Sequence, residues 1–351
     1  MKVEENLNTI CLVMIVKNES KNIKACLESA KPYISNWVIV DTGSTDDTKE
    51  IIRLTMEGIP GILHDSPWKN FGVNRSQALA WARGFNSGWL LLLDADMTVW
   101  IDPAFVPDHN VEAYTVAMED SGTNWRLPLF VNGNLMWQYI GACHEYLAPD
   151  PNRPYKQTPT DSVRVKFNPT QTWPAKQHWY AGLLEEDLLE NPNNPRTIFY
   201  LAQTYREMGD TRARDLYLKR ADMGGFEEEA WYAQYRAALL AEWPTRMVEL
   251  LKAWQRRSTR LEPLYDLVKE LNQQKLHLAA YVLSSVELTK CSDVLFVSNY
   301  VWDWGIDFEH SIASWWVGER AEFNTLSKKL LKNPRLPDNV REAVERNLSF
   351  K

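Results

Sequence analysis

"TICLVMIVKNESKNIKACLESAKPYISNWVIVDTGSTDDTKEIIRL", residues 9–54, alternates short apolar runs with segments of mixed character. Ile10 to Val16 and Trp37 to Val40 are unbroken apolar runs of strand length, the pattern of strands that are covered on both faces. After the first run, Ile23 and Leu27 recur at helical spacing. We therefore predict strand, helix, strand and helix, in that order.

The alternation continues through the next forty or so residues. A shorter strand is predicted at Gly61 to His64, a helix around Ser76 to Arg83, and a strand at the start of "WLLLLDADMTVW", residues 89–100. Repeated β and α units predict a doubly wound parallel sheet that binds ligands outside the carboxyl ends of its strands. Four polar residues fall at such ends: Lys17, Asp41, Asp65 and Asp94. They predict a site at this edge.

Two carboxylates, Asp94 and Asp96, follow the leucine run with Ala95 between them. Residues two apart on a strand point to the same face, so both side chains are expected to project together. Adjacent like charges are costly unless a positive group compensates them. Mg²⁺ and Mn²⁺ suit such a pair, because they bind one or two carboxylates together with substrate phosphates. A solvated turn is the alternative that this motif leaves open.

Composition and targeting signals narrow the class of protein. The 351 residues are enough for two domains, and a hydrophobic share of 45% with a charged share of 24% is ordinary for a soluble protein. No secretory signal pattern precedes the first strand, and no apolar run approaches the ~20 residues of a membrane helix. The 4 cysteines have no CxxC spacing, which excludes the usual zinc and disulfide patterns. We expect a cytoplasmic protein without membrane insertion, and no obligate protein partner is evident.

The net charge of −7 gives no overall attraction to nucleic acid or to anionic membranes. Residues 1–165 carry 14 Lys+Arg and 20 Asp+Glu, and the remainder carries 25 and 26. The second half contains two basic clusters, residues 206–220 and 252–260. Two interpretations stay open: helix faces paired with nearby acids, or a surface that binds phosphates.

The second half of the chain is helical in pattern from about Pro174 onward. "FYLAQTYREMGD", residues 199–210, is echoed by "WYAQYRAALLAEW", residues 231–243. The offset is close to the ~34-residue unit of tetratricopeptide helix pairs. We predict an α/β domain at residues 1–170 and stacked helical hairpins at residues 171–351, with an irregular bundle as the alternative to the hairpins.

Asp41, Arg75 and the pair His144-Glu145 are further candidates for binding or catalytic roles. Asp41 either begins a polar turn or accepts a hydrogen bond from a nucleobase or a ribose. Arg75 lies near the start of a predicted helix, where the helix dipole does not favour a cation, so a role against phosphate or the aspartates is expected. In "YIGACHEYL", Glu145 is a candidate general base, and His144 is either structural or a neighbour of metal or phosphate. The G-x-S-x-G, Walker and GxGxxG motifs are missing from the sequence, which argues against hydrolase, NTPase and dinucleotide-binding classes.

Four segments, in this order, resemble family-2 glycosyltransferases of GT-A fold: "ICLVMIVKNES", "VIVDTGSTDDT", "FGVNRSQALAWA" and "WLLLLDADM". "IGACHEYL" is similar to the Gly-x-x-His-Glu element of one subgroup. The helical segment "NPRTIFYLAQTYREMGD" is similar to the tetratricopeptide-type extension of that subgroup, which occurs in bacteria and their phages. The resemblance covers roughly residues 8–240.

This resemblance implies an α/β GT-A domain (nucleotide-sugar-binding, Rossmann-like) followed by an all-α tetratricopeptide-like domain. It implies that a sugar is transferred from a nucleotide sugar with inversion at the anomeric carbon, with Mn²⁺ or Mg²⁺ as cofactor. A UDP-sugar is the donor expected first. The donor residues that it implies are Val16, Lys17, Asn18, Glu19, Asp41, Arg75, Asp94 and Ala95. The expected metal ligands are Asp94 and Asp96 with His144, and the expected base is Glu145 with Asp120 in reserve.

One departure leaves the third metal ligand open. Many subgroup members carry a His-x-Gly turn after the His-Glu element, whereas this chain has "VRVKFNPTQTW", so His144 or His178 would have to replace it. The acceptor is equally open among a protein or peptide, a glycan and a modified base in phage DNA. Two other functions compete: an inactive scaffold whose helical repeats bind a protein partner, and a nucleotidyltransferase, which would leave "VDTGSTDD" unexplained.

Overall fold

A computed structural model of the protein describes residues 8–119, 124–168, 176–287, 289 and 291–350. The chain divides into two compact units, Met1–Glu190 and Asn191–Lys351. The sequence-based boundary at 170/171 lies earlier than this division, because the helix Lys176–Glu190 belongs to the first unit. Among the described helices, none is both long enough and apolar enough to cross a membrane.

The first unit combines helices with a mixed sheet. Its strands are β1 (Ile10–Val16), β2 (Asn36–Asp41), β3 (Gly61–Asp65), β4 (Trp89–Leu92), β5 (Met97–Ile101), β6 (Ala113–Glu119), β7 (Asn124–Asn132), β8 (Trp137–Ile140), β9 (Tyr146–Pro149) and β10 (Gln157–Phe167). Its α-helices are α1 (Ile23–Ala30), α2 (Thr48–Thr55), α3 (Phe71–Ala82) and α4 (Lys176–Glu190), and a 3₁₀ turn spans Arg83–Phe85.

Eight of the described strands form one sheet in the order β3-β2-β1-β4-β7-β6-β10-β5, and β8 pairs with β9. Strands β3, β2, β1 and β4 are parallel, because helices α1 to α3 provide the crossovers that parallel neighbours need. The parallel sheet predicted from the alternating β and α segments is found in these four strands, and beyond β4 the sheet is mixed: β10 pairs parallel with β6 and antiparallel with β5. There the described strands follow one another without an intervening helix, and β7 pairs antiparallel with both β4 and β6.

The parallel half of the sheet is the core of the first unit. Every residue of β2 and β4 is buried, as the unbroken apolar runs predicted. Trp89 at the start of β4 stacks on Phe130 of β7, with ring centroids 5.0 Å apart and planes 6° apart. This stack joins the parallel half of the sheet to the mixed half, β7-β6-β10-β5. The carboxyl ends of β1, β2 and β4 therefore lie next to a closely packed core.

The second unit is all helical in its described residues. Its α-helices are α5 (Pro195–Glu207), α6 (Arg212–Asp222), α7 (Glu227–Leu239), α8 (Thr245–Arg256), α9 (Glu262–Gln273), α10 (His277–Ser284), α11 (Ile306–Val317), α12 (Arg320–Leu331) and α13 (Asp338–Ser349), with a π-helical turn at Val301–Gly305. Each helix packs against its neighbours in sequence. The two echoed segments lie mainly in α5 and α7, which are the first helices of the successive hairpins α5–α6 and α7–α8. The predicted order, an α/β domain followed by an all-α domain, is confirmed.

The arginines of the two basic clusters in the second unit are paired with acids. The pairs are Arg206–Glu207, Arg212–Asp210, Arg214–Glu249, Arg220–Glu229, Arg256–Glu227, Arg257–Asp293 and Arg260–Glu262. Arg220 and Arg260 are, in addition, buried. The positive charge of these arginines is thus compensated within the unit, which favours the interpretation of paired helix faces over a phosphate-binding surface.

Candidate functional site

Asp94, Ala95 and Asp96 form a turn between β4 and β5. The Met97 N–H donates to the Asp94 carbonyl oxygen at 3.0 Å, which closes a four-residue β-turn. The expectation that the two aspartates share one strand face is therefore wrong, because β4 ends at Leu92. The turn, which we call the carboxylate turn, brings the two side chains to one cavity.

Arg75, on α3, lies between two carboxylates. Its Nη2 is 2.7 Å from Asp94 Oδ1 and its Nε is 2.8 Å from Glu145 Oε1. The second contact is an ion pair and not an aligned hydrogen bond, because the Nε–H has no acceptor within the described part of the chain. The rings of Phe71 and Tyr139 lie 5.8 Å and 5.5 Å from the guanidinium carbon. Burial by itself lowers the pKa of Arg75, but Asp94 and Glu145 outweigh burial and the pKa is raised.

Glu145 reaches Arg75 because α3 packs directly against the segment between β8 and β9. A Cβ atom at Gly72 would lie 2.2 Å from the carbonyl oxygen of Gly141, so this approach requires glycine. His144 then takes the left-handed backbone conformation, with a φ of 51°. The close approach and the sharp turn together aim Glu145 at the guanidinium.

Asp96 carries the second carboxylate of the turn. Burial, followed by the negative charge of Asp94, raises the pKa of Asp96 to about 6. Glu19 acts in the same direction as Asp94, whereas the nearby Lys176 lowers the pKa. Because burial is the main cause, the charged form of Asp96 is the one that its surroundings disfavour, and a bound cation would stabilise it.

The loops after β1 and β2 hold each other in place. The Asn18 N–H donates to Ser44 Oγ at 2.9 Å, and Asn18 Oδ1 accepts from the Thr45 N–H at 2.8 Å. The Glu19 N–H donates to Thr48 Oγ1 at 2.8 Å. These contacts fix the backbone at the carboxyl ends of both strands, where a ligand of a doubly wound sheet is expected.

Asp41 ends β2 and is 1% exposed. Its Oδ1 accepts from the N–H groups of Gly43 and Ser44, at 2.9 Å and 2.8 Å. Its Oδ2 is buried and has no donor among the described residues. Buried acceptors are normally satisfied, so this oxygen is suited to an N–H or O–H donor that comes from outside the chain.

A cavity of about 790 Å³ collects most of the residues expected at the site, a volume typical of small-molecule sites. Those that line it are Val16, Lys17, Asn18, Glu19, Arg75, Asp94, Ala95, Asp96, His144 and Glu145. Asp41 does not line the cavity, because it is buried beneath its surface, whereas the next residue, Thr42, does line it. His178 is exposed and does not line the cavity. Asp120 lies outside the described residues.

Aromatic residues form the other side of the cavity and were missed by the sequence analysis. Trp68, Phe71, Phe167, Trp179 and Tyr180 line it, together with Ile15, Asn22, Thr42 and Lys176. No periodicity or spacing marks these aromatics, because they come from distant parts of the first unit's sequence. The available signal was the total of 16 Trp, which indicates ring-binding surfaces without locating them.

The carboxylate turn suits a cation that is held partly by substrate. Among the described residues, no group of three or more His, Cys, Asp and Glu side chains could hold a metal ion by itself. Asp94 is paired with Arg75, which leaves Asp96 as the principal carboxylate. Mg²⁺ and similar hard cations are commonly bound by one or two carboxylates and complete their shell with phosphate oxygens and water. The donor set fits that arrangement. His144 lies 5.4 Å from the Tyr180 ring, and its role as a third ligand stays a prediction.

Comparison with known proteins finds a family match within the first unit. Residues 11–105 match the model of glycosyl transferase family 2. The chain is 37% identical over 89 residues to the SPbeta prophage-derived glycosyltransferase SunS of Bacillus subtilis strain 168, and 37% identical over 87 residues to a TPR repeat-containing protein of Synechococcus elongatus. Each match covers 25% of this chain and 20% of the relative. The predicted membership in family 2 is confirmed for this segment.

Similar solved structures are more distant in sequence. S. aureus TarS 1–349, in complex with UDP-GlcNAc, is 14% identical with a TM-score of 0.39, and the match covers 79% of this chain and 91% of that one. Glucosyl-3-phosphoglycerate synthase from Mycobacterium tuberculosis, in complex with Mn²⁺, UDP and glucosyl-3-phosphoglycerate, is 22% identical with a TM-score of 0.22, and the match covers 26% of this chain and 34% of that one.

Proposed function

We propose, from the membership of residues 11–105 in glycosyl transferase family 2, that the protein transfers a sugar from a nucleotide sugar to an acceptor hydroxyl. The observation that carries this proposal is the cavity that joins the loop after β1, the carboxylate turn and Glu145. A nucleoside, a diphosphate and a reacting hydroxyl need these three environments, in this order. The chain spans 20% of the length of the relatives it matches, so the activity is a proposal for the chain as a whole.

The nucleoside is proposed to bind at the ends of β1 and β2. The orphaned Oδ2 of Asp41 is buried next to the cavity residue Thr42, so it accepts a hydrogen bond from the base only after its side chain turns towards the cavity. The N3–H of uracil has the required donor character. Unpaired buried acceptors cost about 1–3 kcal/mol, and a bound base would remove that cost. UDP-sugars are therefore the first donors to test, with Val16 to Glu19 forming the side of the pocket that meets the nucleoside.

Asp96 is proposed to hold a divalent cation, with Asp94 beside it. Such a cation, when bound, stabilises the negative charge that develops on a departing diphosphate. Arg75 is buried between Asp94 and Glu145, so its contribution is to hold these two carboxylates and to add one positive charge near the diphosphate. The role first expected for Arg75, direct support of the diphosphate, thus becomes a positioning role.

Glu145 is proposed to be the general base. Its Oε1 contacts Arg75, so Oε2 is the oxygen that receives the proton. The acceptor oxygen attacks the anomeric carbon and forms the new C–O bond while the bond from that carbon to the diphosphate oxygen breaks. The electron pair leaves with the nucleoside diphosphate, and the acceptor proton passes to Glu145. One displacement of this kind inverts the configuration at the anomeric carbon. Asp120, outside the described residues, remains the reserve.

A donor screen tests the proposal. The protein is incubated with a panel of nucleotide sugars and Mn²⁺, and release of the nucleoside diphosphate is followed by mass spectrometry, with and without candidate acceptors. Asp96→Asn is expected to lose the activity. Asp65→Asn is expected to keep it, because Asp65, although predicted at the same edge, is exposed, pairs with Lys49 and does not line the cavity. If no nucleotide sugar binds or is consumed, the alternative of an inactive scaffold that binds a protein partner is favoured.

A further inference from the structure

Four aromatic side chains of the first unit form a continuous surface inside the cavity. We call the set Trp68, Phe71, Trp179 and Tyr180 the aromatic wall. The Trp179 ring centroid lies 5.5 Å from each of the other three, and Trp68 lies 5.0 Å from Phe71. The interplanar angles range from 30° to 86°, so the rings form a faceted cup. All four are half-buried and line the cavity.

The aromatic wall lies beside Arg75 and beside the segment that carries Glu145. Phe71 contacts the guanidinium of Arg75, which also contacts Glu145. Tyr180 lies 5.4 Å from the ring of His144, the residue before Glu145. A group that rests on the wall is therefore close to the proposed base.

We propose that the aromatic wall is the acceptor subsite and that it takes the ring of an uncharged sugar, the end of a glycan. This inference rests on the proposed function and specifies its acceptor. One face of a sugar ring carries C–H groups, which pack on the negative face of an aromatic ring. The hydroxyls at the ring edge then point to the polar rim of the wall, where Glu145 is suited to accept a proton.

Charge argues against a nucleic acid on this wall. Residues 1–190 carry 16 Lys+Arg and 24 Asp+Glu, and an acidic unit repels a polyanion. Affinity for nucleic acid depends on Lys and Arg that contact phosphates. Two lysines, Lys17 and Lys176, are among the residues that line the cavity, and the arginines of the basic clusters in the second unit are paired with acids. Neighbouring rings of the wall are in contact with one another, so a base has no space to insert between them.

Sheet topology argues against an extended peptide. Peptides that bind by adding a strand need an exposed sheet edge, and β1 and β4, which lead into the cavity, lie inside the sheet. Strand β5 is at an edge and starts beside Asp96, but α1 packs on it and Ser29 Oγ accepts from the Val99 N–H at 3.0 Å. An uncharged, compact ring is the acceptor that these features fit best.

Binding and transfer to small glycosides test the inference. Saturation-transfer NMR with a panel of methyl glycosides, in the presence of UDP and Mn²⁺, measures ring binding, and mass spectrometry measures transfer to the same compounds. Trp179→Ala and Trp68→Ala are expected to weaken glycoside binding about tenfold, the upper range for one aromatic contact, and to leave UDP affinity unchanged. The matched control is Trp81→Ala, which removes a 44% exposed ring of α3 outside the cavity.

Three results would overturn the inference. The first is that the wall variants bind glycosides as well as the Trp81→Ala control does. The second is that the wall variants lose affinity for UDP. The third is that the protein transfers sugar to oligonucleotides or to Ser/Thr peptides and not to glycosides. Trp179→Leu keeps an apolar side chain without a ring, and it serves if Trp179→Ala fails to fold. If the wild type consumes no nucleotide sugar, the proposed function fails, while glycoside binding that depends on Trp179 still supports a sugar site on the wall.

Discussion

Arg75 Nε lies 2.8 Å from Glu145 Oε1, and both side chains are largely buried, with 17% and 13% of their surfaces exposed. The same guanidinium contacts Asp94 at 2.7 Å. One permanent cation therefore ties the carboxylate turn to the proposed base. A change at Arg75 is expected to disturb both, even though Arg75 need not touch the substrate.

Arg75→Ala is expected to lower the free energy of unfolding by about 3 kcal/mol, because removing one partner of a buried ion pair leaves the other charge uncompensated. Urea denaturation of the wild type and variant measures this. Adding Glu145→Gln to Arg75→Ala should recover part of the loss, since it removes one of the stranded charges. Arg53→Ala, an exposed arginine of α2, is the control, and an equal effect of both alanine variants would contradict the interpretation.

Asp41→Asn is expected to weaken binding of UDP about 10–100-fold, because the amide that replaces an acceptor oxygen is itself a donor and costs about 1–3 kcal/mol. The wild type should prefer UDP to CDP, since the N3 of uracil donates and the N3 of cytosine accepts, and the variant should lose this preference. Competition binding with the two nucleotides measures both effects. Asp47→Asn, which changes an exposed aspartate in the same loop, should leave the preference intact; a wild type that binds CDP equally well would refute the role of Asp41.

Glu145→Gln is expected to keep donor binding and to lower the rate of transfer by about 10²–10⁴, the range for a lost general base. Gln keeps the shape of the side chain, so the loss should appear in kcat with little change in the KM for the donor. Steady-state kinetics with the acceptor found by the screen measures it. Turnover close to that of the wild type would remove Glu145 from the mechanism and direct attention to Asp120.

Glu309→Gln is expected to stabilise the protein at neutral pH. Glu309 is 5% exposed, and burial raises its pKa from the ordinary 4.5, although a hydrogen bond from Asn272 lowers it. A carboxyl whose pKa is raised in the folded state contributes stability below its unfolded pKa, and that contribution is lost as the pH rises through the folded value. The difference in thermal midpoint, variant minus wild type, should therefore increase as the pH is raised from about 4 to about 8. The control Glu319→Gln, at an exposed position, should show no such trend.

The parallel half of the fold was predictable because its signals are local. The apolar runs of β1, β2 and β4 specify buried strands, and the helical spacing between them specifies crossovers. The mixed half of the sheet was not predictable, because its strands pair through contacts that are distant in sequence, as β7 does with β4 and β10 with β6. The sequence of a short strand with alternating polar and apolar residues does not specify which other strand it pairs with.

The sequence was sufficient to predict which strand ends contribute to the site, but not how the side chains are arranged there. Asp94 and Asp96 were expected on a strand, whereas a β-turn presents them, because the Asp94 carbonyl accepts from Met97. The pairing of Arg75 with Glu145 depends on Gly72 and on its close approach to Gly141. Only the packed tertiary structure reveals such an approach.

The most direct test of the account is calorimetric titration of UDP into the protein with Mn²⁺ and, separately, with a chelator. Because Asp96 is proposed to bind the cation that joins the diphosphate to the protein, the wild type should bind UDP at least about tenfold more tightly with Mn²⁺, a difference of about 1.4 kcal/mol. Asp96→Asn should bind equally under both conditions, and Asp65→Asn should behave as the wild type. Equal affinity of the wild type with and without chelator would contradict a cation-dependent donor site at the carboxylate turn.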